Sequence, residues 1–281
     1  GIDNAGDKSK MPSSYQDYQV GFRVGLPIIK DKLFFFTNYE NTNRIEPLFY
    51  GAGQNGSFMT TAIANQISDS LKSSTYNPSS VYNPNGTYNA GATNDYNIFS
   101  KSNKLFARLD WNLGSKHQLS LRNNYVVSSS SNLERSATQF QFGNYDFIQN
   151  NVNNSTVLEL KSRFNSKISN SFIAGYTTIH DYRDPTGAQF PQIQINNVNG
   201  GTVLIGNNRE AGIFNMRQKT FEITDNVTIY KGKHVITLGT HNELYQIDYG
   251  FINSWNGRID YNSFNDFLNN KPGRIRSIYN L

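Results

Sequence analysis

The chain contains no cysteine, which removes disulfide frameworks, thiolate metal sites and cysteine nucleophiles together. Charge is sparse: Asp, Glu, Lys and Arg make up 17% of the residues, and the formal balance is only +5. No long apolar run exists either. The longest lies around Leu33-Phe34-Phe35-Phe36, far below the roughly 20 residues of a transmembrane helix. A transmembrane strand needs only about 9–11 alternating residues, so this absence leaves membrane residence open. Nothing at Gly1-Ile2-Asp3-Asn4 resembles a basic segment followed by an apolar core, and Met11 is the first methionine. The start is expected to be processed or internal to a longer product.

What is present is aromatic and polar. Aromatic residues reach 14%, with 17 Tyr and 19 Phe, and Asn is the commonest residue, with Ser, Gly and Tyr also abundant. Disorder requires low hydrophobicity with high net charge, which this is not. Helical bundles favour Ala, Leu, Glu and Lys, whereas this mixture suits strands and turns.

Period-2 alternation is the main signal. Leu105, Ala107, Leu109, Trp111 and Leu113 alternate with Arg108, Asp110 and Asn112. After Gly114-Ser115-Lys116-His117, Leu119, Leu121, Tyr125 and Val127 resume opposite Gln118, Ser120, Arg122 and Asn124. Successive strand residues point to opposite faces, so two such runs around a glycine turn form a hairpin. Three further hairpins follow this grammar. Val20 to Leu26 turns into Leu33 to Tyr39, Leu158 to Phe164 into Phe172 to Thr178, and Phe221 to Ile229 into Ile236 to Leu244. Asp225 interrupts the apolar set of the last.

Links within hairpins are short; those between them are long, at about 41–103, 128–155, 181–217 and 247–281. Short turns at one end and long loops at the other are the topology of an outer-membrane barrel, with the loops extracellular. Energetics assigns the faces. Arg or Lys at the bilayer midplane costs about 2–4 kcal/mol, so Arg23, Arg108, Arg122, Glu159, Arg163 and Glu243 are expected in the lumen and the Leu/Phe/Val face against lipid. Tyr39, Tyr125, Tyr176 and Tyr245 are expected in one aromatic girdle, Trp111 and Tyr230 in the other. The fold class is therefore all-β: an antiparallel transmembrane barrel with about eight strands over residues 1–281. A stand-alone, adhesin-like eight-stranded barrel and a secreted glycan-binding sandwich share the same periodicity.

The run from Gly21 to Glu40, GFRVGLPIIKDKLFFFTNYE, resembles the early-barrel hairpin of TonB-dependent outer-membrane receptors of the Oar-like subgroup. Gly56-Ser57-Phe58 and Tyr82-Asn83-Pro84 are similar to that subgroup's first long loop, and Lys104 to Leu121 and Asp225 to Gly239 to its later hairpins. The resemblance implies a 22-stranded plugged barrel of which this segment holds about a third. It further implies energised uptake of a large substrate (peptide, protein or glycan), and contact with a TonB complex through a plug outside this segment. Separately, Asp69-Ser70-Leu71 resembles the Asp-Ser/Thr-aliphatic acceptor of Bacteroidetes-type O-glycosylation.

Chemical motifs are few. Gly51-Ala52-Gly53-Gln54-Asn55-Gly56 fits the dinucleotide pattern in letters only; no βαβ context surrounds it, so it reads as a glycine-rich loop. A short helix over Thr60 to Leu71 is possible, with Ile63, Ile67 and Leu71 on one face. His117, His180, His234 and His241 lack ligand spacing, and Lys and Arg are scattered. No enzyme, no cofactor, no metal site and no nucleic-acid partner is expected. Outer-membrane lipid is the expected surrounding, and the exposed loop aromatics Tyr50, Tyr76, Tyr82 and Tyr88 are the candidate substrate contacts.

Overall fold

The computed structural model describes residues 15–72 and 88–277. Eight long strands run as a continuous antiparallel meander. They are β1 (Gln16–Ile29), β2 (Leu33–Pro47), β3 (Asn97–Asn112), β4 (His117–Ser131), β6 (Phe147–Arg163), β7 (Ile168–Pro185), β10 (Ile213–Lys231) and β11 (His234–Ile252). Their order in the sheet is β1-β2-β3-β4-β6-β7-β10-β11. The four expected hairpins form, and consecutive hairpins pair with one another. Among the described residues the sheet ends at β1 and β11, so the wall is open.

Register carries one face across the whole wall. Leu26 lies opposite Phe35, Phe35 opposite Leu109, Leu109 opposite Leu121, Leu121 opposite Leu158, Leu158 opposite Ala174 and Ala174 opposite Ile223. None of the described residues covers this face: Leu238 and Leu244 remain 66% and 69% exposed. A two-layered sandwich would have buried it, so that alternative is overturned. The apolar stripe covers about nine residues per strand, as from Phe221 to Ile229 or Ile236 to Leu244, matching the length that crosses a bilayer at a tilt of about 45°.

The strands outrun the stripe. β10 and β11 have 19 residues each, and the connections shrink to 48–96, 132–146 and 186–212, shorter than the loops expected from alternation. The reason is local chemistry. Beyond the lipid the strands lose the outward apolar stripe, and many of their residues pair through polar side chains: Thr42 with Ser102 at 2.6 Å, Asn41 with Asn103 at 2.8 Å, and Asn151 with Asp181 at 2.5 Å. Such segments read as loop because their hydrophobicity does not alternate.

Three of the four expected upper-girdle tyrosines, Tyr39, Tyr125 and Tyr176, lie on the lipid-facing side, as does Trp111. Tyr245 and Tyr230 do not. Tyr245 follows Leu244 and pairs with Thr220, while Tyr230 follows Ile229 and pairs with Val235, which puts both on the inner face. One residue of phase decides this. Asp225, at the middle of the lipid-side stripe of β10, accepts the Asn170 amide at 2.5 Å.

The long connections fold together. A five-stranded mixed sheet has the order β13 (Arg274–Arg276), β12 (Arg258–Tyr261), β8 (Gln192–Val198), β9 (Gly201–Ile205), β5 (Gln139–Gln141). The pairs β12 with β8 and β5 with β9 are parallel, joining strands from different connections. Helix α1 (Thr61–Lys72) buries Ile67 and Leu71 in the core of this unit, as the spacing suggested, with Ala64 as the third buried residue while Ile63 is only partly buried against it. Helix α2 (Phe264–Leu268) starts at Ser263, whose hydroxyl accepts from the Asp266 N–H, an N-cap. Phe140, Phe142, Phe190, Ile193, Ile195, Val203, Ile205, Tyr261 and Phe267 form a closed core here, each at most 1% exposed. We call this unit the cap.

Two faces with opposite solvents give a prediction. In the full-length protein folded into lipid vesicles, Leu121→Arg is expected to lower the unfolding free energy by about 2–4 kcal/mol, whereas Asn124→Arg on the inner face leaves it within about 1 kcal/mol. Equal penalties in denaturant titration would contradict the facing.

Candidate functional site

The inner face is built by the residues one step out of phase with the lipid stripe. All six expected lumen residues lie on it. Arg108 and Arg122 are direct cross-strand partners, and the same row continues through Val157, Gly175 and Glu222 to Glu243. Glu159 and Arg163 sit lower on β6, and Arg23 on β1 faces Asn38.

Like charges opposite each other on a sheet repel, and the Arg108–Arg122 pair is relieved by neighbours. Arg108 donates two hydrogen bonds to Asp110, both 2.8 Å. Arg122 lies 4.0 Å from Glu159, which also holds Lys161 at 3.1 Å. Higher up, Lys104 meets Glu40 at 2.5 Å. On the far strands His241 sits between Glu222 at 3.7 Å and Glu243 at 3.1 Å, with the Thr224 hydroxyl 2.7 Å away. Exposed pairs of this kind each contribute only about 0–1 kcal/mol. Their effect is a wetted wall of fixed polarity, basic over β3 and β4 and acidic over β10 and β11. Toward the tight turns it opens into a depression of about 800 Å³ edged by Lys116, Lys161 and Arg163. Among the described residues no group of histidine and carboxylate side chains fits a metal ion.

The expected loop tyrosines separate. Tyr50 is half-buried with φ +62°. Tyr88 is not an exposed contact: it is 1% exposed and its ring stacks 3.7 Å from that of Phe190 in the cap core. Burial wins because the alternating strands behind it offer an apolar slot, and it raises the phenol's pKa. Tyr76 and Tyr82 lie outside the described residues. Ser70 lies on α1 and its hydroxyl donates to the Gln66 carbonyl at 2.8 Å, while Leu71 is in the core.

What the residue-type search did not find is the polar framework of the cap. Arg135 is 7% exposed and has no carboxylate partner among the described residues. It donates to the carbonyls of Gln141 at 3.0 Å, Asn94 at 2.6 Å and Ala92 at 2.9 Å, and lies 4.5 Å over the Phe140 ring. Burial lowers its pKa to about 10, so it stays charged at neutrality. Asp146, 1% exposed, accepts from the backbone N–H of Asn132 at 2.6 Å and Phe147 at 2.8 Å and from the Tyr96 hydroxyl at 2.7 Å. These two residues tie the 48–96 and 132–146 connections to each other and to the start of β6. A lone Arg or Asp in a polar loop carries no sequence signal of this. Strand β8 of the same cap did carry one: Gln192-Ile193-Gln194-Ile195 alternates plainly.

Desolvation raises the Asp146 carboxyl pKa above its ordinary value. The sign follows from linkage: its contribution is full below the ordinary carboxyl pKa and is lost as pH rises through the raised one. Asp146→Asn keeps both backbone acceptor bonds on its oxygen and carries no charge. Its cap is therefore expected to equal or exceed the native one in hydrogen-exchange protection at neutral pH, the difference closing as pH falls toward the ordinary carboxyl value. Asp146→Ala orphans buried donors and should cost about 1–3 kcal/mol. Arg135→Met, which frees three carbonyls, is expected to open the cap to protease by a similar amount; unchanged protection in either variant would contradict these roles.

Comparison with known proteins is consistent with this geometry. A family model described as an outer membrane beta barrel domain matches residues 3–280. No curated protein matches the chain. Among solved structures, the outer membrane transporter YddB from Escherichia coli superposes with a TM-score of 0.54 at 9% sequence identity. That match covers 88% of this chain and 27% of the other, so the chain spans about a quarter of that transporter's length. At this identity the likeness concerns the fold. With its apolar face turned to lipid, its charged face inward and its connections at one end, the chain belongs to the outer membrane beta barrel domain family.

Proposed function

We propose that the chain is part of the wall of a TonB-dependent, energised transporter of the Oar-like kind, taking up a large peptide, protein or glycan. The observation that carries this reading is the open wall. β1 and β11 each leave one edge unpaired among the described residues, and an unpaired edge in hydrocarbon costs several kcal/mol per polar group. The two edges do not meet each other, which speaks against a closed eight-stranded barrel and for a wider one built with further strands. A wide lumen also accommodates the charged rows on β3, β4 and β6, where a small barrel would have to fill them with its own side chains. The likeness of the fold to an outer membrane transporter and the Gly21–Glu40 hairpin support the same reading.

In this scheme the residues have physical rather than chemical work. Arg108, Arg122, Glu159 and Lys161 form the wetted wall on which a plug rests through ion pairs weak enough to exchange. The cap frames the outer mouth, and Tyr50, with Tyr76 and Tyr82, offers aromatic contact area to the substrate. No step is catalytic. The test is a photoreactive amino acid at Arg122 or Glu159 in the full-length protein in cells. The expected product is an internal crosslink to a globular segment of the same polypeptide, lost when the TonB system is energised in the presence of substrate. Crosslinks to neither position from the same chain would overturn the plugged-transporter reading.

A further inference from the structure

The tight turns share a feature that neither the fold nor transport requires. All four hairpin turns open at one end of the wall, and every one carries lysine: Lys30 and Lys32, Lys116, Lys167, and Lys231 and Lys233. These six side chains are exposed, and among the described residues none is in an ion pair. Asp31 is the one acid in the turns, beside His117 and His234.

The row is held in place. The Lys32 carbonyl accepts from the N–H of Asn112 at 2.7 Å, the Lys116 carbonyl from Arg163 at 2.7 Å, and the Lys167 carbonyl from Tyr230 at 2.8 Å. Each turn is thereby hydrogen-bonded to the next hairpin, so the lysines stand on a fixed rim. Strands about 4.8 Å apart place successive turns about 10 Å apart. Lys231 and His234 close β10 and β11 around Gly232, at φ +63°, so Lys233 stands in a two-residue turn and Lys231 at its edge.

Position selects the partner. Immediately inside the rim, on the lipid side, lie exposed apolar residues: Ile29 at 51%, Trp111 at 48%, Phe164 at 50% and Ile236 at 46%. A cationic row directly beyond an apolar and aromatic band sits at headgroup depth, where anionic lipid attracts it. The short-turn end of such a barrel faces the periplasm.

We propose that these six lysines form a collar that binds the anionic headgroups of phospholipids in the periplasmic leaflet, holding a lipid annulus at the turn end of the wall. The proposal rests on the outer-membrane fold and not on TonB dependence, so it stands or falls separately from the transport reading.

The test uses the full-length protein in mixed phosphatidylethanolamine and phosphatidylglycerol nanodiscs, with bound lipid counted by native mass spectrometry. Wild-type protein is expected to retain phosphatidylglycerol above its share in the bilayer. Replacing all six lysines by Gln should reduce that retention by more than about tenfold, and replacing them by Arg should preserve it. Retention unchanged in the Gln variant, or no enrichment in wild type, overturns the collar. Displacement of the lipid by millimolar inorganic phosphate would identify a free-phosphate site instead and also overturn it. A Gln variant that fails to reach the membrane is bypassed by acetylating the lysines of the folded wild type, for which the same loss is expected.

Discussion

Backbone polar groups in hydrocarbon have no water to bond, and this constraint dictates the rest of the structure. It demands an unbroken antiparallel ladder, which the eight-stranded meander supplies. Once the ladder crosses lipid, its apolar residues point outward and cease to be a core. The protein therefore has two hydrophobic organisations in one chain. On the wall, Leu105, Leu109, Leu121 and Leu244 stay exposed, while in the cap Phe140, Ile193, Tyr261 and Phe267 are sealed from solvent. Among the described residues nearly all buried apolar side chains belong to the cap and its junction with the strands.

This division explains the electrostatics. The inner wall can keep Arg108 opposite Arg122 because water and the nearby carboxylates of Asp110 and Glu159 screen them. In the cap the dielectric is lower, so Arg135 and Asp146 need hydrogen-bond partners, and each side chain has three. Above the lipid the strand faces change character. On the outer side of β10 and β11 stand Arg217, Lys219 and Asp248, while Phe214, Tyr249 and Phe251 face inward. The outward surroundings there are water instead of hydrocarbon, and the side chains follow.

Much of this was legible in the residues because period-2 alternation is strict wherever one face meets lipid. The stretch from Leu105 to Val127 identifies its hairpin, its turn and its two faces without further information, and the side of Arg23, Arg108, Arg122, Glu159, Arg163 and Glu243 follows from phase alone. Legibility stopped where the lipid stops. The Asn- and Ser-rich strand extensions pair by side-chain hydrogen bonds that leave no hydrophobic pattern. Tyr88 reads as exposed because it is an aromatic in a polar loop, and it becomes buried only when strands from different connections pair and give it a slot beside Phe190. Non-local pairing of short strands is the part of a fold that local sequence encodes least.

The central claim is that odd and even residues of one strand meet different solvents. The 281 residues hold no cysteine; with any cysteine elsewhere in the full-length protein replaced by serine, single cysteines carrying a nitroxide label can be placed along β3 in lipid vesicles, at positions 105 to 111. Collision rates with oxygen, which concentrates in hydrocarbon, should peak at 105, 107, 109 and 111, and rates with a water-soluble nickel chelate should peak at 106, 108 and 110. A chelate-accessible odd set, or no alternation at all, would contradict the account.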